Sequence, residues 1–411
     1  MPENLSAKLE KFLPPPVLAL IKIAGKEAAN MGQELYIVGG VVRDLFLARI
    51  NYDFDLVIEG DAVSLAKKLA GDTGAKLTVH ERFGTAKLIY PEFSLDLATA
   101  RSETYSRPGA LPSVKPGSLK DDLIRRDFSI NAMALHVNPK QYGQLVDLYG
   151  GQKDIEHRLI RILHSKSFID DATRILRAIR YEWRLGFRLE AETKKLLRRD
   201  AAMLDTISGD RLRHELELIL KEPEPERSIG RAGKLGVLKH LHQSLKGNDN
   251  LVEAFRKARQ LTKSSPPSIY LCLLIYGLTE KENEELISRL NFPKTSAQAM
   301  RQTLQLKKQL HKLDNPRLKS SDIYRLLQGY SPPAIYANVA ASKSPIVIKH
   351  LNLYLDKLRY VKLLLNGSDL LKMGIPSGPK VGQVLDTLLK AKLNGEVRTR
   401  KDEEKLVSHF R

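Results

Sequence analysis

Leu35-Tyr36-Ile37-Val38-Gly39-Gly40-Val41-Val42-Arg43-Asp44, with Asp53-Phe54-Asp55-Leu56-Val57-Ile58 close behind it, is the stretch on which the fold turns. The run Leu35 to Val38 is too short for a helix and reads as a strand closed by two glycines. Helical spacing then occupies Val41 to Ala48, and Leu56 to Ile58 reads as a second strand entered through Asp53 and Asp55. Two glycines let a ligand approach the backbone just where a helix begins, and a helix N-terminus with its free N–H groups holds phosphate. A glycine pair after a strand is also an ordinary turn; its weight here comes from the carboxylates that follow it.

In a strand, alternate residues share a face, so Asp53 and Asp55 project together about 6 to 7 Å apart. Paired hard-oxygen ligands suit two divalent cations roughly 3.5 to 4 Å apart, as in metal-assisted phosphoryl transfer. Taken alone, Asp-x-Asp is also common in turns. Asp96 adds a third carboxylate: Phe93, Leu95 and Leu97 alternate with Ser94, Asp96 and Ala98, so Asp96 faces away from the core side of its own strand.

Outward from this core, Lys76 to Val79 and Ala86 to Tyr90 read as further strands and Ala62 to Leu69 as a helix. From about Ser118 nearly everything reads as helix, with periodic patterns at Arg174 to Leu185, Arg211 to Leu220, Asn250 to Leu261, Lys281 to Leu290, Ala297 to Leu313 and Ile348 to Leu365. The expectation is an α+β head followed by an all-α body. Pro223 and Pro225, then Pro266 and Pro267, mark junctions between helical parts. Arg107 to Ser118, with Pro108, Pro112, Pro116 and two glycines, is expected to be a surface loop.

Two more segments carry chemistry. In Arg125-Arg126-Asp127-Phe128-Ser129-Ile130-Asn131, a helix would put Asp127 and Asn131 on one face, suited to ribose hydroxyls, with an arginine for phosphates. A surface salt-bridge cluster is the plainer reading. In Asp171-Ala172-Thr173-Arg174-Ile175-Leu176-Arg177, three charged residues recur every third position on one helical face. An acceptor fixed beside guanidinium donors matches the amino and ring-nitrogen edge shared by cytosine and adenine and mismatches guanine and uracil, whose polar groups would be buried unpaired. A stabilising ion pair at a helix start is the alternative.

Composition bounds the rest. The 411 residues, 42% hydrophobic with net charge +19, fit two to four folded domains and exclude a disordered or collagen-like chain. Cys272 is the single cysteine, which leaves no internal disulfide and no multi-cysteine zinc site. Lys22 and Lys26 break the N-terminal apolar stretch, which does not read as a signal peptide. The uncharged run Ser264 to Thr279 contains two prolines and is too short to span a membrane. The expectation is a cytosolic protein without membrane association. His240 and His242 read as surface residues at a helix end. Charge is segregated: residues 1–150 hold 18 Lys+Arg and 18 Asp+Glu, residues 151–250 hold 21 and 16, and residues 251–411 hold 28 and 14. A neutral front and a basic rear suggest that chemistry and polyanion binding are separated. A lysine-rich solvated surface would give the same count.

In order, Gly39-Gly40-x-x-Arg43-Asp44, Asp53-x-Asp55, Arg125-Arg126-Asp127-Phe128-x-x-Asn131-Ala132 and Asp171-x-x-Arg174-x-x-Arg177 resemble the class II tRNA nucleotidyltransferase and bacterial poly(A) polymerase family. Asp147-x-x-Gly150-Gly151-x-x-Asp154 lies between the third and fourth motifs, and Asn366-Gly367-x-Asp369-Leu370 with Gly378-Pro379-x-x-Gly382 resembles a motif of the family's C-terminal region. The resemblance implies a polymerase-β-like head (1–136), a neck with a base-reading helix (137–205), a helical body (206–275) and a basic tail that binds tRNA (276–411). It implies untemplated addition of C and A (CCA) to the tRNA 3′ end from CTP and ATP. In that reading Asp53 and Asp55 hold Mg²⁺ and Asp96 joins them in catalysis. Gly39, Gly40 and Arg43 meet the triphosphate; Arg126, Asp127 and Asn131 position the nucleotide; Asp171 and Arg174, with Arg177 and Arg180 on the same helix, read the base. The acid/arginine pair that many CCA-adding members carry after the sheet is not evident in Glu103-Thr104-Tyr105-Ser106-Arg107. Addition of A alone, addition of CC alone and poly(A) synthesis therefore stay open, and a non-catalytic RNA-binding protein is the remote alternative.

Overall fold

A computed structural model describes residues 3–50, 52–110, 112–261 and 266–410, with the side chain of Asp53 outside the described residues. Leu111 of the proline-rich loop and Ser264 and Ser265 of the uncharged run also lie outside them. The chain divides into two compact units, residues 1–215 with 235–240, and residues 216–234 with 241–411.

The first unit is built on a mixed sheet. Helices α1 (Ser6–Phe12) and α2 (Pro15–Asn30) precede β1 (Glu34–Val38), α3 (Gly40–Phe46), β2 (Asp53–Glu59), α4 (Ala62–Thr73), β3 (Lys76–His80), β4 (Thr85–Ile89) and β5 (Ser94–Thr99). Strand β2 pairs antiparallel with β1 and parallel with β5, in the register Val38↔Asp55 and Asp55↔Asp96. That register sorts the side chains. Leu35, Ile37, Phe54, Leu56, Ile58, Leu95 and Leu97 fall on one face, nearly or wholly buried, with α2 packed against β1 and α4 against β4 and β5. Asp61 caps α4 by accepting from the N–H groups of Val63 and Ser64, a contact of the kind worth about 1 kcal/mol. On the other face Tyr36, Val38 and Val57 are covered by Leu119 and Leu123, while Asp55, Lys87 and Asp96 are not part of that apolar cluster.

The strands and helices expected between 35 and 99 are present. Downstream, two expectations are corrected. The proline-rich segment is no simple loop: β6 (Arg101–Thr104) and β7 (Ser113–Pro116) form an antiparallel hairpin. Pro116 sits at the strand end, where a missing N–H is tolerated. The chain also returns to the sheet after α5 (Leu119–Ile124), as β8 (Ala134–His136) and β9 (Leu145–Val146), completing the order β3-β4-β5-β2-β1-β8-β9. Ala132 to Leu135 are wholly buried, and a short run buried on both faces has no alternation by which to tell strand from helix. Beyond come α6 (Gly151–Glu156), β10 (Leu159–Ile160), α7 (Ser167–Asp170), α8 (Thr173–Leu185), β11 (Arg188–Leu189), paired parallel with β10, and α9 (Ala191–Asp200).

Helix α10 (Gly209–Leu220) carries the chain into the second unit, which among its described residues is entirely helical: α11 (Pro225–Lys234), α12 (Asp249–Leu261), α13 (Pro267–Leu274), α14 (Glu280–Arg289), α15 (Lys294–Leu313), α16 (Ser320–Leu327), α17 (Pro332–Ala341), α18 (Pro345–Asp356), α19 (Gly367–Lys372), α20 (Pro379–Leu393) and α21 (Arg400–Ser408). Pro225 and Pro267 open helices, as first-turn prolines do. The helix expected to run to Leu365 ends at Asp356. Beyond it the N–H groups of Leu364 and Leu365 are satisfied by the wholly buried Glu403 carboxylate, which also takes Lys392 at 2.6 Å. His242 is buried and bonded to Glu285 at 3.2 Å, contrary to the surface position expected for it. No described helix is long and apolar enough to cross a membrane.

Candidate active site

The Gly39–Gly40 turn, the carboxylate end of β2, the segment after α5 and the start of α8 converge on one cleft of about 590 Å³. Seven arginines (43, 125, 126, 174, 177, 184 and 211) line it against four carboxylates, Asp55, Glu103, Asp127 and Asp171. Such an excess of fixed guanidinium charge suits a polyphosphate.

Gly39 has φ 76° and ψ −134°, a conformation open in practice only to glycine. A Cβ there would lie 3.0 Å from the Arg126 guanidinium and 3.7 Å from the Asp55 carboxylate. The turn therefore places backbone, arginine and carboxylate within one small volume. Asp55 and Asp96 are direct cross-strand partners in the parallel pair, so their side chains leave the same face. Asp96 accepts from Lys87 at 2.7 Å, both groups about 40% exposed. Asp53 is the first residue of β2, in register with Ser94 of β5.

Arg126 is aimed by a residue the sequence reading passed over. Asp122, wholly buried, accepts from Arg126 Nε and NH2 at 3.2 and 2.8 Å and from Arg125 Nε and NH2 at 3.0 and 2.5 Å. Burial pushes the Asp122 carboxyl up, but the two guanidinium charges outweigh it and hold the group below the usual carboxylate range. Arg125 also donates to Glu103 at 3.0 Å, which accepts in turn from the Tyr105 hydroxyl at 2.9 Å and so ties β6 to the cleft. An Asp with Arg at i+3 and i+4 was the available signal.

Asp127 and Asn131 do come together, although not on a helix. Helix α5 ends at Ile124, and Ser129–Asn131 form a single 3₁₀ turn. Asp127 Oδ1 accepts from Phe128 N and Asn131 Nδ2, each at 2.9 Å, while Oδ2 takes Arg177 Nε and NH2 at 2.9 and 2.6 Å. Burial would raise this carboxyl; Arg177 and Asn131 reverse the effect and lower it. Asn131 Oδ1 then accepts Arg43 NH1 at 2.7 Å, and Arg43 forks onto Asp44 through two bonds of 2.9 Å. The result is one chain of bonds, Arg177 to Asp127 to Asn131 to Arg43 to Asp44. It runs from α8 to the first turn of α3. Tyr181, which the sequence did not flag, lies under three guanidiniums at 5.5 Å (Arg43), 5.9 Å (Arg177) and 5.1 Å (Arg180), with Phe128 edge-on to it. Arg180 itself bonds the buried Glu215 at 3.3 Å and is not among the cleft-lining residues.

At α8 the expected single helical face is corrected. Asp171 precedes the helix in extended backbone, and its carboxylate accepts from Thr173 N and Oγ1 at 3.0 and 2.6 Å. A short polar side chain bonded to the backbone ahead of it competes with helix formation. Asp171 pairs with Arg211 at 2.7 Å, and Arg174 is fixed through Ser167 Oγ at 2.6 Å and the carbonyl of Arg125. Both line the cleft.

Among known proteins, residues 35–161 match the family described as the poly A polymerase head domain, and residues 186–247 match the one described as the probable RNA and SrmB-binding site of polymerase A. An A-adding tRNA nucleotidyltransferase of Halalkalibacterium halodurans is 34% identical over 99% of this chain and 96% of its own. An A-adding tRNA nucleotidyltransferase of Geobacter sulfurreducens is 35% identical over 97% of this chain; the chain spans 47% of that protein, about half its length. The solved structure of the Thermotoga maritima CCA-adding enzyme complexed with tRNA superimposes with a TM-score of 0.83 at 32% identity, over 100% of this chain and 99% of that one.

Proposed function

This chain belongs to the class II tRNA nucleotidyltransferase and bacterial poly(A) polymerase family, and from that premise we propose that it adds adenylate to the 3′ end of tRNA from ATP, without a template. The observation that carries the reading is the single cleft in which the Gly39–Gly40 turn, the Asp55 carboxylate and the Asp171–Arg174 segment meet. Turn, carboxylate and polar pair correspond to the three parts of a nucleotide that must be held: polyphosphate, reacting phosphorus and base.

The Gly39 and Gly40 backbone and the guanidinium of Arg126, aimed by Asp122, receive the polyphosphate. Asp127 and Asn131 position the ribose, and Asn131 is itself oriented by Arg43. Asp171 offers an acceptor and Arg174 a donor to the amino and ring-nitrogen edge of the base; Arg177 holds Asp127 in place. Arg43 and Arg180 act through their neighbours, since the former is turned to Asp44 and Asn131 and the latter to Glu215.

Asp55 and Asp96, adjacent by strand register, are hard oxygen donors leaving one face, and together with Asp53 they would hold a pair of Mg²⁺ ions. Such ions, when bound, lower the pKa of the attacking 3′ hydroxyl and neutralise charge building on the phosphate.

The A-adding reading follows the names of the two relatives. Addition of all of CCA is the second reading, favoured by the CCA-adding enzyme whose structure superimposes on this one. The deciding assay presents tRNA ending before CCA, after C and after CC, each with one labelled nucleotide. A-addition predicts incorporation of A into the CC-ended tRNA alone. Incorporation of C into the shorter tRNAs, followed by A, makes it a CCA-adding enzyme, and C alone makes it the CC-adding half of a split system. Long A tails on any RNA identify a poly(A) polymerase, and no incorporation refutes nucleotidyl transfer. Arg174→Ala should relax selection of A over G and U; unchanged selectivity would remove Arg174 from base reading.

A further inference from the structure

A second groove, of about 480 Å³, adjoins the active cleft and shares Asp55, Arg125 and Arg126 with it. Its floor is the sheet itself. Strand register sets Thr78, Lys87, Asp96 and Asp55 side by side on β3, β4, β5 and β2, so an ammonium and two carboxylates leave one face of strands about 4.8 Å apart. Like charges directly opposite on paired strands destabilise the pair, and Asp55 with Asp96 is such a pairing. Lys87 offsets it: its ammonium donates to Asp96 Oδ2 at 2.7 Å.

This contact differs in kind from the one that aims Arg126. There the Asp122 carboxylate is wholly buried and takes each guanidinium through two bonds, which fixes a direction. Lys87 reaches Asp96 by one bond to one oxygen, from a flexible four-carbon stem, with both groups about 40% exposed. It supplies charge and little geometry. A divalent cation held by Asp96 would stand beside that ammonium and be repelled by it.

We infer that Lys87 is a resident counter-ion of the metal site. It neutralises Asp96 while no cation is bound, yields the carboxylate when one arrives, and so keeps cation binding weak until the phosphates of ATP supply further oxygen ligands. The inference rests on the metal-dependent reading above and adds to it a positioning residue that acts through Asp96.

The test uses the full chain and Mn²⁺, whose free fraction is read by electron paramagnetic resonance and which takes the same oxygen ligands as Mg²⁺. Lys87→Met keeps the stem and removes the charge. Without nucleotide it should bind Mn²⁺ roughly three- to tenfold more tightly than wild type. Its metal-free denaturation midpoint should fall, and saturating Mn²⁺ should close the gap. Lys87→Arg, which retains the charge, should keep the wild-type Kd. In an Asp96→Asn background Lys87→Met should change Kd by less than about twofold, because the partner through which it acts is gone. Equal Mn²⁺ affinity in Lys87→Met and wild type, in a protein that incorporates nucleotide, overturns the inference and leaves the proposed function standing. Weaker binding overturns it too, making Lys87 a group that orients Asp96. The same tightening in the Asp96→Asn background would assign the effect to net charge alone and equally overturn the inference. A wild type that incorporates no nucleotide refutes the nucleotidyl-transfer reading whatever Lys87 does to Mn²⁺ binding.

Discussion

Asp127→Asn cuts the bond chain that joins α8 to the glycine turn at its middle. The native carboxylate accepts four hydrogen bonds while only 7% exposed. In the variant one oxygen still serves Phe128 and Asn131, but an amide NH₂ then faces the two N–H donors of Arg177. Breaking a buried ion pair costs about 3 to 5 kcal/mol. Arg177 is one-third exposed and has Glu215 at 3.7 Å as an alternative partner, so screening and re-pairing reduce the loss to roughly 2 to 3 kcal/mol. Denaturant titration should register that loss. The same change detaches Arg177, and with it the anchor that ties Asn131 and Arg43 to α8 through residue 127, so KM for ATP should rise roughly 10- to 100-fold, equivalent to about 1.4 to 2.8 kcal/mol. Acid titration offers an independent sign. Asp127 is held below the ordinary carboxylate range, so its stabilisation is fully present above that range and is lost as pH falls through the lower folded value. The variant should lack this component and show a shallower decline of stability below about pH 4. A variant with native stability, native acid sensitivity and native KM for ATP would refute the bond chain as the link between the nucleotide-holding residues and α8.

Three further outcomes follow from the same geometry. Asp53→Ala combined with Asp55→Ala should lower incorporation roughly a thousandfold or more while tRNA still binds, measured by single-turnover incorporation beside filter binding; retained activity would remove these carboxylates as metal ligands. Gly39→Ala should cost about 1 to 3 kcal/mol for its backbone conformation and raise KM for ATP, because the new methyl presses on Arg126; an unchanged urea midpoint would contradict the strain. Tyr181→Leu removes the ring under three guanidiniums, each such contact being worth about 0.5 to 2 kcal/mol. It should raise KM for ATP more than Tyr181→Phe does, and equal KM values for the two variants would show that the ring does not hold Arg43 and Arg177.

The sequence by itself determined the strand–glycine–helix–strand opening. Apolar runs of strand length bounded by Gly and Asp, with helical spacing between them, are local signals that tertiary packing left standing at β1, α3, β2 and α4. It also isolated the residues whose chemistry is unusual for their place: Gly39, Asp55, Asp96, Asp127, Asn131, Asp171 and Arg174. Their assignments to metal, ribose and base remain proposals, but the structure gathers all except Asp96 along one cleft and sets Asp96 beside Asp55.

Tertiary structure alone decided the rest. Strand β8 is legible only through its pairing with β1, because a run buried on both faces has no period of two. Asp171 left the expected helical face because its carboxylate found the Thr173 N–H nearer than another turn of helix. Tyr181 meets Arg43, and Glu215 meets Arg180, at separations that no window along the chain spans. Local sequence sets which conformations are cheap; which distant groups share a cavity is set by how the buried faces fit together.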